Sequence, residues 1–363
     1  MPASHRNRIG VVLGLMGACA LGAAPSAQAQ SSVTLYGIVD ASLLYTSKTL
    51  DMSTGQSAGH QYSFTDSGLS GSRFGLRGAE DLGGGMRAIF QLESGFSVAN
   101  GSLNNSNGNL FGRQAWIGID SRFGTVKAGL QFSPFFLSVY DFDPRDMDYF
   151  GSGLVTYLNN VYVTGLFNPN GISYTSPEIA GLQGSAMLAL GGTAGDFQAG
   201  RQYSASLRYH FGGLTIDAAL YSGNAGGSAA AIAIPSAVEF NGRALGARYV
   251  FNNLTVMAAY TQYKVAGSFN NRVYSGGASY RITPALNVDA GIWVTRDANE
   301  SPNNSILAST GLEYSLSKAT VTYAQVGFVT NHGAMHAGLS VNNALDLPTG
   351  TTAGVSLGIR HTF

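Results

Sequence analysis

Two groups of charged residues stand out in a chain that carries few charges. Only 11% of its 363 residues are Asp, Glu, Lys or Arg. The first group lies in SRFGLRGAEDLGGGMRAIFQLESGF (72–96), where Arg73, Arg77, Arg87 and Glu93 share one parity and Phe74, Leu76, Phe90 and Leu92 the other. The second is YDFDPRDMDYFG (140–151), where Asp141, Asp143, Asp146 and Asp148 surround Arg145. A period of two puts all members of a set on one side of an extended strand. The chemistry such sets offer is electrostatic: fixed charges of either sign presented to a polar medium.

Bond-breaking chemistry finds little support. GVSLG (354–358) matches the nucleophile-elbow pattern around Ser356, but that motif needs a strand–turn–helix context and this one lies in an alternating segment. His332 and His336 are four apart, a spacing that serves a metal on a helix, yet they flank Gly333. His60, His210 and His361 form no cluster, and no phosphate-loop, dinucleotide or paired-carboxylate pattern is present. No cofactor and no enzymatic activity are expected.

The elements that must position the charges come next. Residues 1–29 read as an export signal: His5, Arg6 and Arg8, an apolar run, then Ala27-Gln28-Ala29. Cys19 in MGACA raises a lipoprotein alternative, which the Met and Gly before it fit poorly. Cleavage would remove the single cysteine, leaving no disulfide or thiolate metal site. It would also remove Arg6 and Arg8, taking Lys+Arg from 20 to 18 against 20 acids, a net charge of about −2. That balance argues against nucleic acid as a partner.

From residue 30 on, apolar and polar residues alternate in segments of about ten. VTLYGIVDASLLY sets Val33, Leu35 and Leu43 against Thr34, Asp40 and Ser42; GLTIDAALY, ALNVDAGIWV and SILASTGLEYS behave alike. Tight connections (80–85, 120–124, 176–181, 210–213, 251–253, 282–284, 315–318) alternate with longer polar ones (46–70, 97–110, 132–167, 191–198, 223–239, 266–271, 297–304, 330–350). Seven of one kind and eight of the other require sixteen antiparallel strands with both termini on the tight-turn side. The predicted fold is all-β, a sixteen-stranded transmembrane barrel over residues 30–363 with short periplasmic turns and long external loops. Closure satisfies every backbone group in lipid and lets lipid replace a second packing layer. Tyr and Phe at the strand ends (Tyr174, Tyr209, Phe211, Tyr249, Tyr280, Tyr314) suit interfacial girdles. A secreted β-sandwich and a barrel enzyme are the competing classes; low charge and single apolar faces speak against the first, sparse histidines against the second.

LYGIVDASLLY, the 72–96 stretch, GRQAWIGIDSRFGTVKAGLQ, NGISYTSPEIAGL and the terminal GIRHTF together resemble the trimeric general porins of the β-proteobacterial and neisserial branch. The resemblance implies a homotrimer in the outer membrane, contacts with lipid and lipopolysaccharide, and passive diffusion of small hydrophilic solutes and ions. It also implies that the third external loop (132–167) folds into the lumen. The final Phe363 resembles the signal read by the barrel-assembly machinery. Ser173 departs from the pattern, since relatives often carry Arg there.

Charge on the lipid face costs about 2–4 kcal/mol near the midplane, so parity assigns charges to the lumen. Asp40, Arg73, Arg77, Arg87, Glu93 and Lys127 are thereby predicted to line the pore, with Arg208, Arg248, Arg281, Arg360, Asp217, Asp289 and Glu313. Arg113 has ambiguous parity, and the resemblance favours the pore for it. Arg73 is the foremost waist candidate and Lys127 the next, while Arg77 and Arg87 flank a turn. An inward loop would set Asp141, Asp143, Asp146 and Asp148, with Arg145, across the gap from the arginines, creating a transverse field.

Overall fold

A computed structural model describes residues 32–161, 166–227 and 238–363; the predicted signal at 1–29 lies outside the described residues. The first half of the chain holds β1 (Ser32–Thr46), β2 (Gln61–Asp66), β3 (Arg73–Gly83), β4 (Met86–Gly95), β5 (Gln114–Ser121) and β6 (Gly124–Gln131). Then come α1 (Pro134–Asp141), α2 (Gly153–Val161), β7 (Asn168–Thr175), β8 (Leu182–Ala189), β9 (Gln202–Phe211) and β10 (Leu214–Gly223). β11 (Phe240–Phe251), β12 (Leu254–Val265), β13 (Asn270–Thr283), β14 (Leu286–Asp297), β15 (Asn304–Ser315) and β16 (Thr320–His332) follow. The chain ends with β17 (Ala337–Ser340), β18 (Ala344–Asp346) and β19 (Gly350–Thr362).

All strands but β17 and β18 form one antiparallel sheet, and β1 pairs with β19 (Leu43 opposite Leu357) to close it. β1 faces β3 as far as Ile38–Arg73 and β2 from Ala41–Asp66 onward, so β2 and β3 are two parts of one stave. The barrel therefore has sixteen staves, as the turn count predicts. Residues 67–70, predicted as the end of the first loop, form with Gly71 and Ser72 a bulge opposite Val39 and Asp40, and β2 occupies part of that predicted loop. At the β3–β4 turn the chain needs three successive left-handed residues, which Gly83, Gly84 and Gly85 supply at φ 79°, 63° and 78°.

The usual inside and outside are exchanged. Val33, Leu35, Leu43, Ile117, Leu207, Phe211, Leu245 and Leu357 point outward and are exposed, forming the lipid-facing band. The buried apolar cluster lies within the barrel, where α1, α2 and the segment between them pack on the wall. Phe135 of α1 meets Tyr157 of α2, Tyr221 of β10 and Tyr263 of β12, with ring centroids 6.2–6.3 Å apart. Two helices of eight and nine residues are too short to leave a helical period in the sequence, which is why the loop reads as featureless there. Ser133 caps α1, its hydroxyl accepting the Phe136 N–H at 3.1 Å, and Pro134 opens the helix.

The wall makes room for the loop with glycine. Gly277 and Gly291 are directly opposed on β13 and β14, and a Cβ on either would lie 2.7–2.9 Å from the Pro144 ring. The last external loop also enters the barrel: β17–β18 buries Leu339, Ala344 and Leu347 against α2 and the upper wall. That second intrusion is absent from the sequence reading, although LSVNNALDL carries the apolar residues that make it.

Candidate functional site

The loop crosses the barrel along one wall. Its α1 lies on β9, β10 and β11, where Ser138 donates to Asp217 at 2.9 Å and Asp141 pairs with Arg208. Its tip reaches β14–β16 through Arg145, which donates to Asp289 (2.6 Å), Gln325 (2.8 Å), Ser309 (3.1 Å) and the Phe150 carbonyl (2.8 Å). Asp148 joins from the loop itself at 3.1 Å. Asp143 accepts the N–H groups of Arg145, Met147 and Gly153, tying the tip to the start of α2.

These contacts divide the predicted charges. Arg145, Asp143 and Asp148 are buried and do not face pore water, because they are the pins that hold the loop. Asp146 is exposed and Asp141 half-buried, so they carry the loop's accessible negative charge. Enclosure by the wall raises the Asp146 carboxyl above the ordinary Asp range, Asp289 adds to this, and Arg248 and Arg360 oppose it.

Asp40 also differs from its predicted role. It is fully buried, and its carboxylate accepts Gly68, Leu69 and Ser70 N–H groups at 2.8–3.1 Å and the Tyr323 hydroxyl at 2.5 Å. The 67–72 bulge is wrapped around this one anion. Asp66, inside the predicted first loop, is buried as well and accepts the Asn104 Nδ2 hydrogen bond at 3.0 Å, fastening the second loop.

On the facing wall Glu93 is buried between two bases. Arg113 reaches it at 2.7 Å, Arg73 only at 3.7 Å, and the Tyr36 hydroxyl donates at 2.8 Å. Arg113 is itself buried and also donates to the Asn105 carbonyl at 3.3 Å, so it supports the wall. Arg73 keeps 26% of its side chain exposed. Arg73, Glu93 and Arg113 share a cavity of about 260 Å³ with Tyr140, Asp146 and Tyr149 of the loop, so the structure brings the arginine wall and the acidic loop together.

The remaining candidates lie nearer the tight turns. Lys127 sits over the Trp116 ring, 4.4 Å from its centroid, and Arg77 over Tyr36 at 5.4 Å. Arg87 pairs with Asp120 beside the 121–124 turn and is exposed. Ser173, in place of a base, donates to Gln131 at 2.6 Å. Ser356 is buried in β19 with an unpartnered hydroxyl; His332 points outward from β16, and His336 bonds the Leu347 carbonyl at 3.0 Å.

A closed sixteen-stave barrel with an apolar exterior, a charged lumen and an inward loop defines a membrane channel. The family model for Gram-negative porins matches residues 17–334, and the chain belongs to that family. It is 29% identical over 369 aligned residues to outer membrane porin protein 32 of Delftia acidovorans, covering 96% of this chain and 99% of that protein. The anion-selective porin from Comamonas acidovorans superposes with a TM-score of 0.76 at 26% identity, over 92% of this chain and all of that one. The trimer form of Vibrio cholerae OmpT shares the fold, with a TM-score of 0.65 at 14% identity over 92% of this chain and 99% of that one. The chain is thus an outer-membrane porin of a Gram-negative bacterium, a water-filled channel for passive diffusion of small hydrophilic solutes and ions. The family and these relatives are channels.

Proposed function

We propose that the selective waist lies between Arg73 and the loop face carrying Tyr140 and Asp146, and that it passes small hydrophilic solutes with a modest preference for anions. One observation carries the sign. Asp40, Glu93, Asp143, Asp148, Asp217 and Asp289 are all buried, whereas only Arg113 and Arg145 among the luminal bases are. Six acids are withdrawn from the water against two bases, and Arg73, Arg208, Arg248, Arg281 and Arg360 stay at least partly accessible. The accessible lumen is therefore basic although the whole chain is nearly neutral, and an anion gains at the constriction. The anion selectivity of the Comamonas relative supports this direction.

In this reading Asp141, held by Arg208, and Asp146 face the bases and supply the negative side of a transverse field, while Lys127, Arg77 and Arg87 line the exit. Residues 1–29 direct export, and residues 30–363 form the one barrel with its constriction loop at 132–167. Three chains assemble, lipopolysaccharide and lipid surround them, and Phe363 is presented to the assembly machinery. No cofactor and no catalysis enter. Reversal potentials across a salt gradient in planar bilayers test the reading. A potential of anionic sign with conductance steps in threes is expected; a cation-selective channel would overturn it.

A further inference from the structure

A second polar cavity lies at the external mouth of the barrel. It has a volume of about 400 Å³ and opens where α2, the external ends of β13 and β14 and the last loop meet. That size falls within the about 300–1,000 Å³ typical of small-molecule pockets. Among the described residues no Lys or Arg lines it, whereas Asp297, Glu300 and Asp346 do. Glu300 and Asp346 are exposed, and among the described residues neither forms an ion pair. Phe269 and Met335 add two half-buried apolar surfaces.

The open hydrogen-bonding capacity of this cavity is mostly of the accepting kind. Asn271 of β13 is 4% exposed and donates through Nδ2 to Asn160 of α2 at 2.6 Å, while Asn160 donates to the Thr156 carbonyl at 2.7 Å. A carbonyl only accepts, so the Thr156 contact fixes both amides. Asn271 Oδ1 is thereby left buried, with no partner among the described residues. His336 donates from Nδ1 to the Leu347 carbonyl at 3.0 Å, so Nε2 of the neutral ring is an acceptor. The Asn270 and Asn299 N–H groups both reach Oδ1 of Asp297, and among the described residues none reaches Oδ2. Asn159 uses its Nδ2 on the Leu345 carbonyl, whereas Asn303 accepts the Ala334 N–H and keeps an amide donor open. A buried acceptor without a donor is unfavourable, and for Asn271 the donor has to come from what fills the cavity.

A fitting occupant brings donors, carries positive charge and is larger than an ion. Among the described residues the carboxylate trio whose oxygens come within 4.8 Å of one another is Asp148, Asp289 and Glu313, and Arg145 already pairs with the first two. The acids of the mouth cavity stand too far apart for three of them to ligate one metal ion. We propose that the cavity binds an amino sugar, a pyranose-sized polyol with a primary ammonium group. The carboxylates take the ammonium through charge-assisted hydrogen bonds, Asn271 Oδ1 and His336 Nε2 accept hydroxyl hydrogens, and Phe269 and Met335 cover the C–H faces. The inference stands on the mouth alone and does not depend on the sign of selectivity at the waist.

The test uses the full-length channel refolded in detergent, with glucosamine as the probe and its affinity measured by saturation-transfer NMR at constant ionic strength. Saturable binding is expected, with glucose and N-acetylglucosamine held about tenfold more weakly because neither carries the ammonium. Glu300→Gln/Asp346→Asn should weaken glucosamine binding about tenfold. Asp196→Asn, at an exposed acid of the 191–198 loop that does not line the cavity, should leave it unchanged. Equal affinity in the double variant and the parent overturns the proposal, as does equal affinity for glucose. An equal loss in Asp196→Asn also overturns it, by assigning the attraction to diffuse surface charge. Displacement of glucosamine by equimolar magnesium overturns it as well, by making the cavity a metal site. Should the double variant fail to fold, Glu300→Gln alone is to lower the affinity several-fold, and an unchanged value has the same overturning force.

Discussion

Two ion clusters in the lumen use the same residue types with opposite results. At the loop tip, one arginine meets two acids: Arg145 lies between Asp148 and Asp289 with its side chain fully buried. On the facing wall, two arginines meet one acid: Arg113 saturates Glu93 at 2.7 Å, and Arg73 is left at 3.7 Å with part of its surface in water. The ratio of acid to base decides which guanidinium becomes structure and which keeps part of its surface in water. A buried charge must have its partners close, and a surplus charge stays where water can reach it.

The largest test of this contrast is Arg145→Ala. It leaves Asp148 and Asp289 buried without their base, a cost of about 3–5 kcal/mol. The temperature at which the folded form is lost on a heat-modifiability gel should fall, and the 132–167 loop should become open to proteolysis. A variant as stable as the parent would break the comparison at its structural end. Asp40→Ala comes next, because it strands the amides of the 67–72 bulge and the Tyr323 hydroxyl. About 1–3 kcal/mol of destabilisation is expected by the same gel, with little change in ion preference.

Arg73→Gln probes the other end. Stability should change little, while the anion-to-cation permeability ratio falls about two- to fivefold, matching up to about 1 kcal/mol for one charge in a wet site. An unmoved reversal potential removes Arg73 from the waist. A smaller effect is expected of pH. The Asp146 carboxyl is raised, so it loses its charge at a higher pH than a free Asp does. Anion preference should therefore strengthen as pH falls from neutrality, and Asp146→Asn should flatten that response; an equally steep profile in the variant places the titration elsewhere. The smallest effect is that of Arg87→Gln. Its exposed pair with Asp120 contributes at most about 1 kcal/mol, and selectivity measured in the same bilayers should stay near the parent's.

Much of the architecture was legible in the chain. A period of two in ten-residue segments reports strands directly, and the alternation of turns such as EDLGGG with long polar loops gives both the number of staves and the side on which the termini lie. Parity predicts that Arg73, Arg77, Arg87 and Lys127 face the lumen, because a charge facing hydrocarbon is so unfavourable. The bulge at 67–72 was not legible: it is organised by Asp40 and Tyr323, 283 positions apart, and no local pattern announces it. Nor was the entry of the last loop, since Leu339 and Leu347 look like ordinary loop residues until α2 is set beside them.

What the sequence determined by itself was which side of the wall each strand residue faces, because that depends only on local alternation and on lipid as solvent. What only the tertiary structure decided was which of the inward charges remain accessible. Asp143, Asp146 and Asp148 lie within six residues of one another in one acidic run, and Asp146 alone is exposed. The difference arises because Met147, Gly153 and Arg145 deliver their donors to Asp143 and Asp148 once the loop has folded against the wall. Those donors are near in the chain, but Arg145 is itself held by Asp289 and Gln325, 144 and 180 positions away, and spacing along the chain carries no record of them.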